Sequence, residues 1–306
     1  MKNGIFYLKQ NLLLLFPMKA YNPKDWTKLI FHFHKSDSIR LLLPAIIVLG
    51  IYSATLCYID VELRIIKFRS TTVLHSLLGF VLSLLLVFRT NTAYERWWEG
   101  RKLWGELVNS SRNLMLKLNA FLPENEVEMK NNFRILISNF PLALKEHLRN
   151  GLKPALLEEH PNLSLKKLSE YKHSPNIIAK QLFIEIQNLQ KQNLISDEKL
   201  IVLNNELSSL TNVAGACERI KSTPIPYSYI TFIKRVILIY TITLPIGLVD
   251  DFKWATIPMV LFVFYAFAGL ELIAEEIEDP FGKEDNDLPT DDIANRIKDN
   301  LKEILN

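Results

Sequence analysis

The placement of charged residues along the chain restricts its fold more than any other feature of the sequence. Asp, Glu, Lys and Arg make up 23% of the 306 residues, yet four stretches contain none of them: 41–59, 71–88, 236–249 and 255–270. A helix needs roughly 20 apolar residues to cross a bilayer. The first two stretches approach that length by themselves. The last two are shorter, but apolar residues on either side of them extend the helical pattern. Soluble cores rarely contain several such runs, so the sequence predicts a polytopic membrane protein with four spanning helices.

Lysine and arginine near the ends of these stretches predict the orientation of the chain. Cations precede the first stretch and follow the second: Lys19, Lys24, Lys28, Lys35 and Arg40, then Arg89, Arg96, Arg101 and Lys102. The loop between these stretches carries a smaller set, and the loop between the last two is short and acidic, with Asp250 and Asp251. This asymmetry predicts that both termini and the long middle segment are cytoplasmic.

The N-terminal segment MKNGIFYLKQNLLLLFP has some features of a signal peptide. Its apolar core is short, however, and the residues around Pro17 make a poor cleavage site. We therefore expect this segment to be retained. Met1 and Met18 are both candidates for the start of translation, and the sequence leaves the choice open.

The middle of the chain, 109–226, has the pattern of a soluble helical domain. Apolar residues follow alternating spacings of three and four, as in a helix seam: Leu200, Leu203, Leu207, Leu210, Ala214 and Cys217. Ser174 followed by Pro175 predicts an N-cap and the first residue of a helix over 176–194. Since no stretch alternates as a strand would, we predict an all-α protein. Its segments are 1–39, 40–108 (two spans), 109–226, 227–278 (two spans) and 279–306 (an acidic loop and a helix).

Motifs of enzymes and of nucleic-acid-binding proteins are absent from the sequence. It contains no phosphate-binding loop, no GxSxG, no HExxH and no CxxC, and its six histidines are scattered. The net charge of +3 gives no reason to expect a nucleic-acid partner. Two cysteines about 160 residues apart form no disulfide framework. We predict that the protein is not an enzyme and requires no cofactor.

One helical pattern continues from the second apolar stretch into a polar band. Phe80, Leu84 and Phe88 stand at positions i, i+4 and i+8 and share a face. Nearly every residue between them is also apolar, so this spacing permits a functional face without selecting it. Beyond Phe88 the helix carries arginine, glutamate and tryptophan side chains that suit a membrane interface, including Trp97, Trp98 and Trp104.

An acidic band lies at the end of the fourth stretch, and its members are Glu271, Glu275, Glu276, Glu278 and Asp279. If these carboxylates lie at the same depth in the membrane as the basic band after Phe88, the two bands would pair. The following residues, up to Asp287, place more carboxylates on a chain turned by Pro280 and Gly282. Calcium requires six to eight oxygen ligands, and the spacing is not that of an EF-hand. A cation loop and a solvated acidic turn both remain open.

Three segments together resemble the bestrophin family of ion channels, and in particular its bacterial branch. They are FRTNTAYERWWEGRKLWG at 88–105, CERIKSTPIPYSY at 217–229 and AEEIEDPFGKEDNDLP at 274–289. The resemblance extends over nearly the whole chain from about Tyr21. It implies a homopentamer in the bacterial inner membrane, in contact with lipid, with one pore on the fivefold axis. The hydrophobic neck of that pore falls on Phe80, Leu84 and Phe88.

The resemblance also implies two further sites. A cytoplasmic restriction of the pore falls near Glu198, where relatives can carry an apolar residue. The calcium clasp of animal members corresponds to the side chains of Glu284 and Asp287 and the backbone of Asp279. Glu284 replaces the aspartate expected there, and bacterial relatives need not respond to calcium, so calcium is a candidate ligand rather than a required one.

The expected function is passive conduction of monovalent ions, with chloride or another anion as the permeant ion by family resemblance. A ring of Glu198 side chains and the acidic outer loops favour the alternative, a monovalent-cation channel of the same fold. A secondary transporter and a membrane-anchored scaffold or sensor are the alternatives from other classes. The permeant ion, the gating stimulus and the physiological role are not determined by the sequence.

Overall fold

The computed structural model describes residues 38–64, 71–149 and 151–305, and the interpretations of the N-terminal segment and of Met18 lie outside these ranges. Throughout the described residues the chain forms helices and no strand, which confirms the predicted all-α class. The helices are α1 Ser38–Cys57, α2 Thr72–Phe121, α3 Val127–Arg149, α4 Leu165–Leu168, α5 Ser174–Lys191, α6 Asp197–Ser222, α7 Tyr227–Phe252, α8 Thr256–Glu278 and α9 Thr290–Leu305. A π-helical turn, Tyr58–Leu63, extends α1, and a 3₁₀ turn, Lys253–Ala255, joins α7 to α8.

The chain divides into two compact units. The first, here called the apolar unit, contains the described residues up to Trp97 together with Pro224–Asp279. The second, here called the polar unit, contains Trp98–Thr223 and the residues from Pro280 onward. Each unit therefore combines segments that are distant in the sequence.

The apolar unit contains the four uncharged stretches, which lie on α1, α2, α7 and α8. Among the residues that the structure describes, three segments are long and apolar enough to cross a membrane, namely Ile39–Leu63, Thr72–Phe121 and Tyr227–Glu278. The last of them includes both α7 and α8. Only 17%, 22% and 22% of their most apolar windows are buried within the protein. Such large exposed apolar surfaces are expected of helices that face lipid or other subunits.

Helices α2 and α7 pack against each other in the core of the apolar unit. Leu82 and Leu86 of α2 are buried against Ile233 and Ile237 of α7. The hydroxyl of Tyr240 donates a hydrogen bond to the backbone carbonyl of His75 at 3.2 Å. A Cβ at Gly79 would lie 2.8 Å from that hydroxyl, so a larger residue at this position would have to displace the Tyr240 side chain. These contacts determine which face of α2 points away from the unit.

The polar unit confirms the predicted seam and corrects two local predictions. Leu203, Leu207, Leu210, Ala214 and Cys217 are at most 1% exposed, as expected for a packed helix face, and Leu200 at the start of the predicted seam is half-buried. Trp104 is fully buried and therefore does not belong to an interface belt. The helix predicted for 176–194 extends over Ser174–Lys191. Its cap is His173 rather than Ser174, because Nδ1 of His173 accepts a hydrogen bond from the Asn176 amide.

Candidate functional site

The side of α2 that faces away from the apolar unit carries the three predicted neck residues. Phe80, Leu84 and Phe88 are 69%, 48% and 56% exposed. At 3.6 residues per turn, they lie roughly 160–240° around the helix from Leu82, which is buried in the core of the unit. Packing thus assigns these side chains to the face opposite the core, a distinction that their spacing alone did not make.

The same face changes from apolar to polar beyond Phe88. Asn91 and Glu95 continue the stripe and are exposed. Arg89, by contrast, lies on the opposite side of α2 and is fully buried. The charged residues that follow the apolar stretch are therefore divided between an outward-facing polar surface and the interior.

Arg89 forms the centre of a buried charge cluster. Its Nη2 donates a hydrogen bond to Oε2 of Glu278 at 2.7 Å. Its Nε lies 3.5 Å from Oε2 of Glu271, a distance typical of an electrostatic pair rather than a good hydrogen bond. Both carboxylates come from α8, where Glu271 is 4% exposed and Glu278 is 8% exposed. The predicted pairing of the basic and acidic bands is thereby confirmed for Arg89.

Glu278 brings together the three sequence segments that carry the family resemblance. Its Oε1 accepts a hydrogen bond from the backbone amide of Ile225 at 2.9 Å, and its backbone carbonyl accepts one from Nε of Arg96 at 3.1 Å. Arg89 and Arg96 come from the first segment, Ile225 from the second and Glu278 from the third. The cations also lie at the C-terminal end of α8, where a helix dipole favours positive charge. This cluster connects the helix carrying the neck residues to α8 and to the start of α7.

Glu198 lies on the surface of the polar unit. It occupies the first turn of α6, after Ser196, whose hydroxyl accepts a hydrogen bond from the Lys199 amide. A hydrogen bond with the Ser196 side chain lowers the pKa of the Glu198 carboxyl. The exposed side chain is therefore negatively charged at neutral pH, as the proposed charged ring requires.

The acidic loop after α8 is held by a hydrogen bond within the loop and by hydrogen bonds from Arg149 of α3. Oδ2 of Asp287 accepts a hydrogen bond from the Glu284 amide at 2.6 Å. The guanidinium of Arg149 donates to the carbonyl of Phe281 at 3.0 Å, to the hydroxyl of Thr290 at 2.9 Å and to Asp291 at 2.6 Å. Asp279 is the last residue of the apolar unit, whereas Glu284 and Asp287 belong to the polar unit. The calcium clasp remains a prediction.

Comparison with known sequences decides the family. The sequence profile described as "Bacterial/Fungal Bestrophin protein" matches residues 18–303, which is nearly the whole chain. The chain belongs to the bestrophin family. Its predicted neck stripe and charge cluster are therefore features of a bestrophin, and both lie within the matched residues.

Named relatives of this bestrophin are channel proteins. A voltage-dependent anion channel-forming protein of Synechocystis is 36% identical over 231 residues, 74% of this chain and 75% of that protein. One of Escherichia coli K12 is 34% identical over 285 residues, 91% of each chain. These relatives are not named as enzymes, which agrees with the prediction that this chain is not one.

Solved structures agree with this assignment. A bacterial bestrophin homologue from Klebsiella pneumoniae matches with a TM-score of 0.79 and 29% identity, covering 86% of this chain and 98% of that chain. The fold of this bestrophin is thus shared with an experimentally determined member of the family over most of its length.

Sequence reasoning missed one group of polar side chains in this bestrophin. Among the described residues, His147, His173 and Glu218 are the one set of three histidine, cysteine or acidic side chains whose ligand atoms converge as they do in metal sites. They come from separate helical segments, so their spacing in the sequence contains no signal of the cluster. Cys217 beside them is inert, because burial and the nearby carboxylates of Glu218 and Glu99 raise the pKa of its thiol to about 12.

Proposed function

We propose that this chain forms a homopentameric anion channel, in which Phe80, Leu84 and Phe88 of each subunit line a hydrophobic neck on the fivefold axis. The observation that carries the proposal is the exposed apolar stripe on the face of α2 opposite the core of the apolar unit. An exposed stripe of two phenylalanines and a leucine needs lipid or other subunits to cover it, and neck lining by five subunits would do so. Membership of a family with relatives named as anion channel-forming proteins supplies the function that suits such a stripe.

Four membrane crossings per subunit are part of the proposal. The segment Tyr227–Glu278 contains two apolar helices, 26 and 23 residues long, joined by a three-residue turn. Each helix has the length that a single crossing requires, so the hairpin supplies two crossings and α1 and α2 the others. An even number of crossings and the lysine and arginine distribution support a cytoplasmic position for both termini in a bacterial cell.

The physical basis of the neck is the cost of holding water and ions in a narrow apolar passage. Rings of phenylalanine and leucine bind water weakly, so such a passage empties easily and gates conduction. Asn91 and Glu95, which follow on the same face, provide hydration where the apolar stripe ends. Arg89 does not enter this passage, because it is buried against the carboxylates of Glu271 and Glu278.

Anion selectivity is supported by the edges of the phenylalanine rings as well as by the relatives. The edge of an aromatic ring carries partial positive charge, and ring edges that point toward the axis would stabilise a passing anion. The exposed carboxylate of Glu198 favours the alternative, a monovalent-cation channel. Five such carboxylates, one from each subunit, would attract cations if they surrounded the pore.

The sign of the reversal potential tests the proposal directly. Purified protein is incorporated into a planar bilayer between two KCl solutions of different concentration, without any other gradient. We expect a current that reverses near the chloride equilibrium potential. Reversal near the potassium equilibrium potential would establish the cation channel instead. Saturable flux that requires a coupled ion gradient would indicate a transporter, and a well-assembled pentamer without conductance would indicate a scaffold.

Replacing Glu198 with alanine should shift the reversal potential further toward the chloride equilibrium potential. The substitution removes one exposed negative charge per subunit, and we expect a change of about twofold in the anion-to-cation permeability ratio, on the scale of the energy of exposed charge pairs. The measurement is best made at low ionic strength, where screening is weak.

The matched control for Glu198→Ala is Glu170→Ala. Glu170 is another exposed carboxylate of the polar unit, and it lies outside α6. The control should leave the reversal potential unchanged. An identical permeability ratio in Glu198→Ala and the unmodified channel would show that Glu198 does not contribute to ion selection.

A further inference from the structure

The cluster of His147, His173 and Glu218 belongs to the polar unit, whereas the proposed neck residues belong to the apolar unit. Oε1 of Glu218 is 2.7 Å from Nε2 of His147 and 2.5 Å from Nε2 of His173. The two imidazole rings are close neighbours, with centroids 4.5 Å apart. One potential ligand atom from each of the three side chains lies within 4.8 Å of the others. Two nitrogens and one oxygen therefore converge on a single point.

We propose that this cluster binds a divalent transition-metal ion of the zinc type. Imidazole nitrogen and carboxylate oxygen are standard zinc ligands, and a set of two histidines and one glutamate leaves a fourth position for water. Magnesium and calcium prefer cages of oxygen ligands, so two nitrogens discriminate against both. The proposal concerns residues other than the proposed neck residues and Glu198, and it does not depend on the permeant ion.

The distances from Glu218 to the two imidazoles require only a small adjustment to accept the ion. In a tetrahedral site with bonds of about 2.0–2.2 Å, neighbouring ligand atoms stand roughly 3.3 Å apart. The two imidazole nitrogens are now closer than that to the Glu218 oxygen. Each would therefore move away from this oxygen by less than about 1 Å. The three side chains are 23%, 32% and 32% exposed, so an ion and its bound water can reach them from solvent.

Metal binding would change the hydrogen bonding of His173 in a defined way. Without metal, Nδ1 of His173 accepts a hydrogen bond from the Asn176 amide, so Nε2 carries the proton that faces Glu218. Coordination through Nε2 would place the proton on Nδ1 and remove that acceptor from the amide. One helix-capping hydrogen bond is a small loss compared with the formation of two metal–nitrogen bonds. The cluster therefore has a stable arrangement both with and without the ion.

The bound ion would connect three parts of the polar unit. His147 lies in the last turn of α3, His173 immediately precedes α5, and Glu218 lies near the end of α6. An ion that binds the folded protein and not the unfolded chain raises the unfolding temperature as its concentration increases. We therefore expect zinc to stabilise the folded polar unit.

The test uses the full-length, assembled protein without a histidine tag, since a tag would itself bind zinc. The protein is stripped with EDTA, equilibrated with ZnCl₂, MgCl₂ or CaCl₂, and dialysed. Metal content is measured by mass spectrometry, and the unfolding temperature is measured in the same samples. We expect stoichiometric retention of zinc and a higher unfolding temperature with zinc alone. Failure of the wild-type protein to retain zinc would overturn the proposal.

His147→Gln and His173→Gln are the informative variants. The glutamine amide can still donate a hydrogen bond to Glu218, but it is a poor zinc ligand. Both variants should lose the bound zinc and the zinc-dependent rise in unfolding temperature. The control Glu170→Gln removes an exposed carboxylate elsewhere in the polar unit and should retain both. Zinc retention by the double variant, equal to that of wild type, would rule out the site.

A second measurement needs no variant and covers the case in which the glutamine substitutions prevent folding. Diethyl pyrocarbonate modifies accessible histidines, and the modified positions can be mapped by mass spectrometry. Zinc should protect His147 and His173 of the wild-type protein from this reagent, while magnesium should not. Equal modification of both histidines with and without zinc would contradict the proposal.

Discussion

Replacing Phe80, Leu84 and Phe88 together with alanine should increase the ion current through the assembled channel. The substitution removes the bulk of three apolar rings in a pentamer, which widens the passage and makes it easier to hydrate. We expect an increase of about tenfold, which corresponds to a reduction of only about 1.4 kcal/mol in the barrier to conduction. Single-channel recording in planar bilayers would show whether the unitary conductance, the open probability or both have risen.

The control for the neck variant is Leu74 and Leu78 replaced together with alanine. These residues also lie on α2 and are 54% and 45% exposed. At 3.6 residues per turn they lie roughly 40–80° around the helix from Leu82, whereas the neck residues lie roughly 120–160° from it. The control should conduct like the unmodified channel, provided that size-exclusion chromatography shows intact assembly. If the neck variant assembles and conducts identically to the unmodified channel, the neck assignment is wrong.

Replacing Arg89 with methionine should destabilise the protein strongly. Methionine preserves much of the side-chain length but leaves the carboxylates of Glu271 and Glu278 buried without their cation. Breaking a buried ion pair on one side typically costs about 3–5 kcal/mol. For a chain of this size, we expect the unfolding temperature in detergent to fall by roughly 10 °C.

An exposed ion pair of the same unit provides the comparison for Arg89→Met. Lys234 and Glu275 are 2.8 Å apart with side chains 45% and 54% exposed, so Lys234→Met should cost less than about 1 kcal/mol. Adding Glu278→Gln to Arg89→Met should recover part of the lost stability, because it removes one of the unpaired charges. Equal unfolding temperatures for Arg89→Met and Lys234→Met would show that the buried cluster contributes no more than a surface pair.

The apolar helices could be predicted because their signal is local. The stretch 236–249 contains no charge, and a helix is the structure that satisfies its backbone hydrogen bonds away from water. The seam from Leu200 to Cys217 could be predicted for a related reason, since its spacing follows the period of a helix. In both cases the information lies within one helix and does not depend on its neighbours.

The roles of individual arginines could not be predicted in this way. Arg89, Arg96 and Arg101 are all basic residues of one helix, and composition does not distinguish them. Arg89 is fully buried because the packing of α2 turns it toward α8, where two carboxylates compensate its charge. Partners of this kind are almost 200 positions away in the sequence, so their meeting depends on the path of the whole chain.

The sequence by itself determined that this chain is helical and membrane-bound, and its motifs identified the family, because apolar length, helical period and local motifs are properties of single segments. Only the tertiary structure decided that Phe80, Leu84 and Phe88 face away from the core, since almost every neighbouring side chain is equally apolar. It alone brought Arg89 to Glu278 and gathered His147, His173 and Glu218. The physical reason is that a face of a helix acquires its role from what packs against the opposite face, and that partner lies elsewhere in the chain.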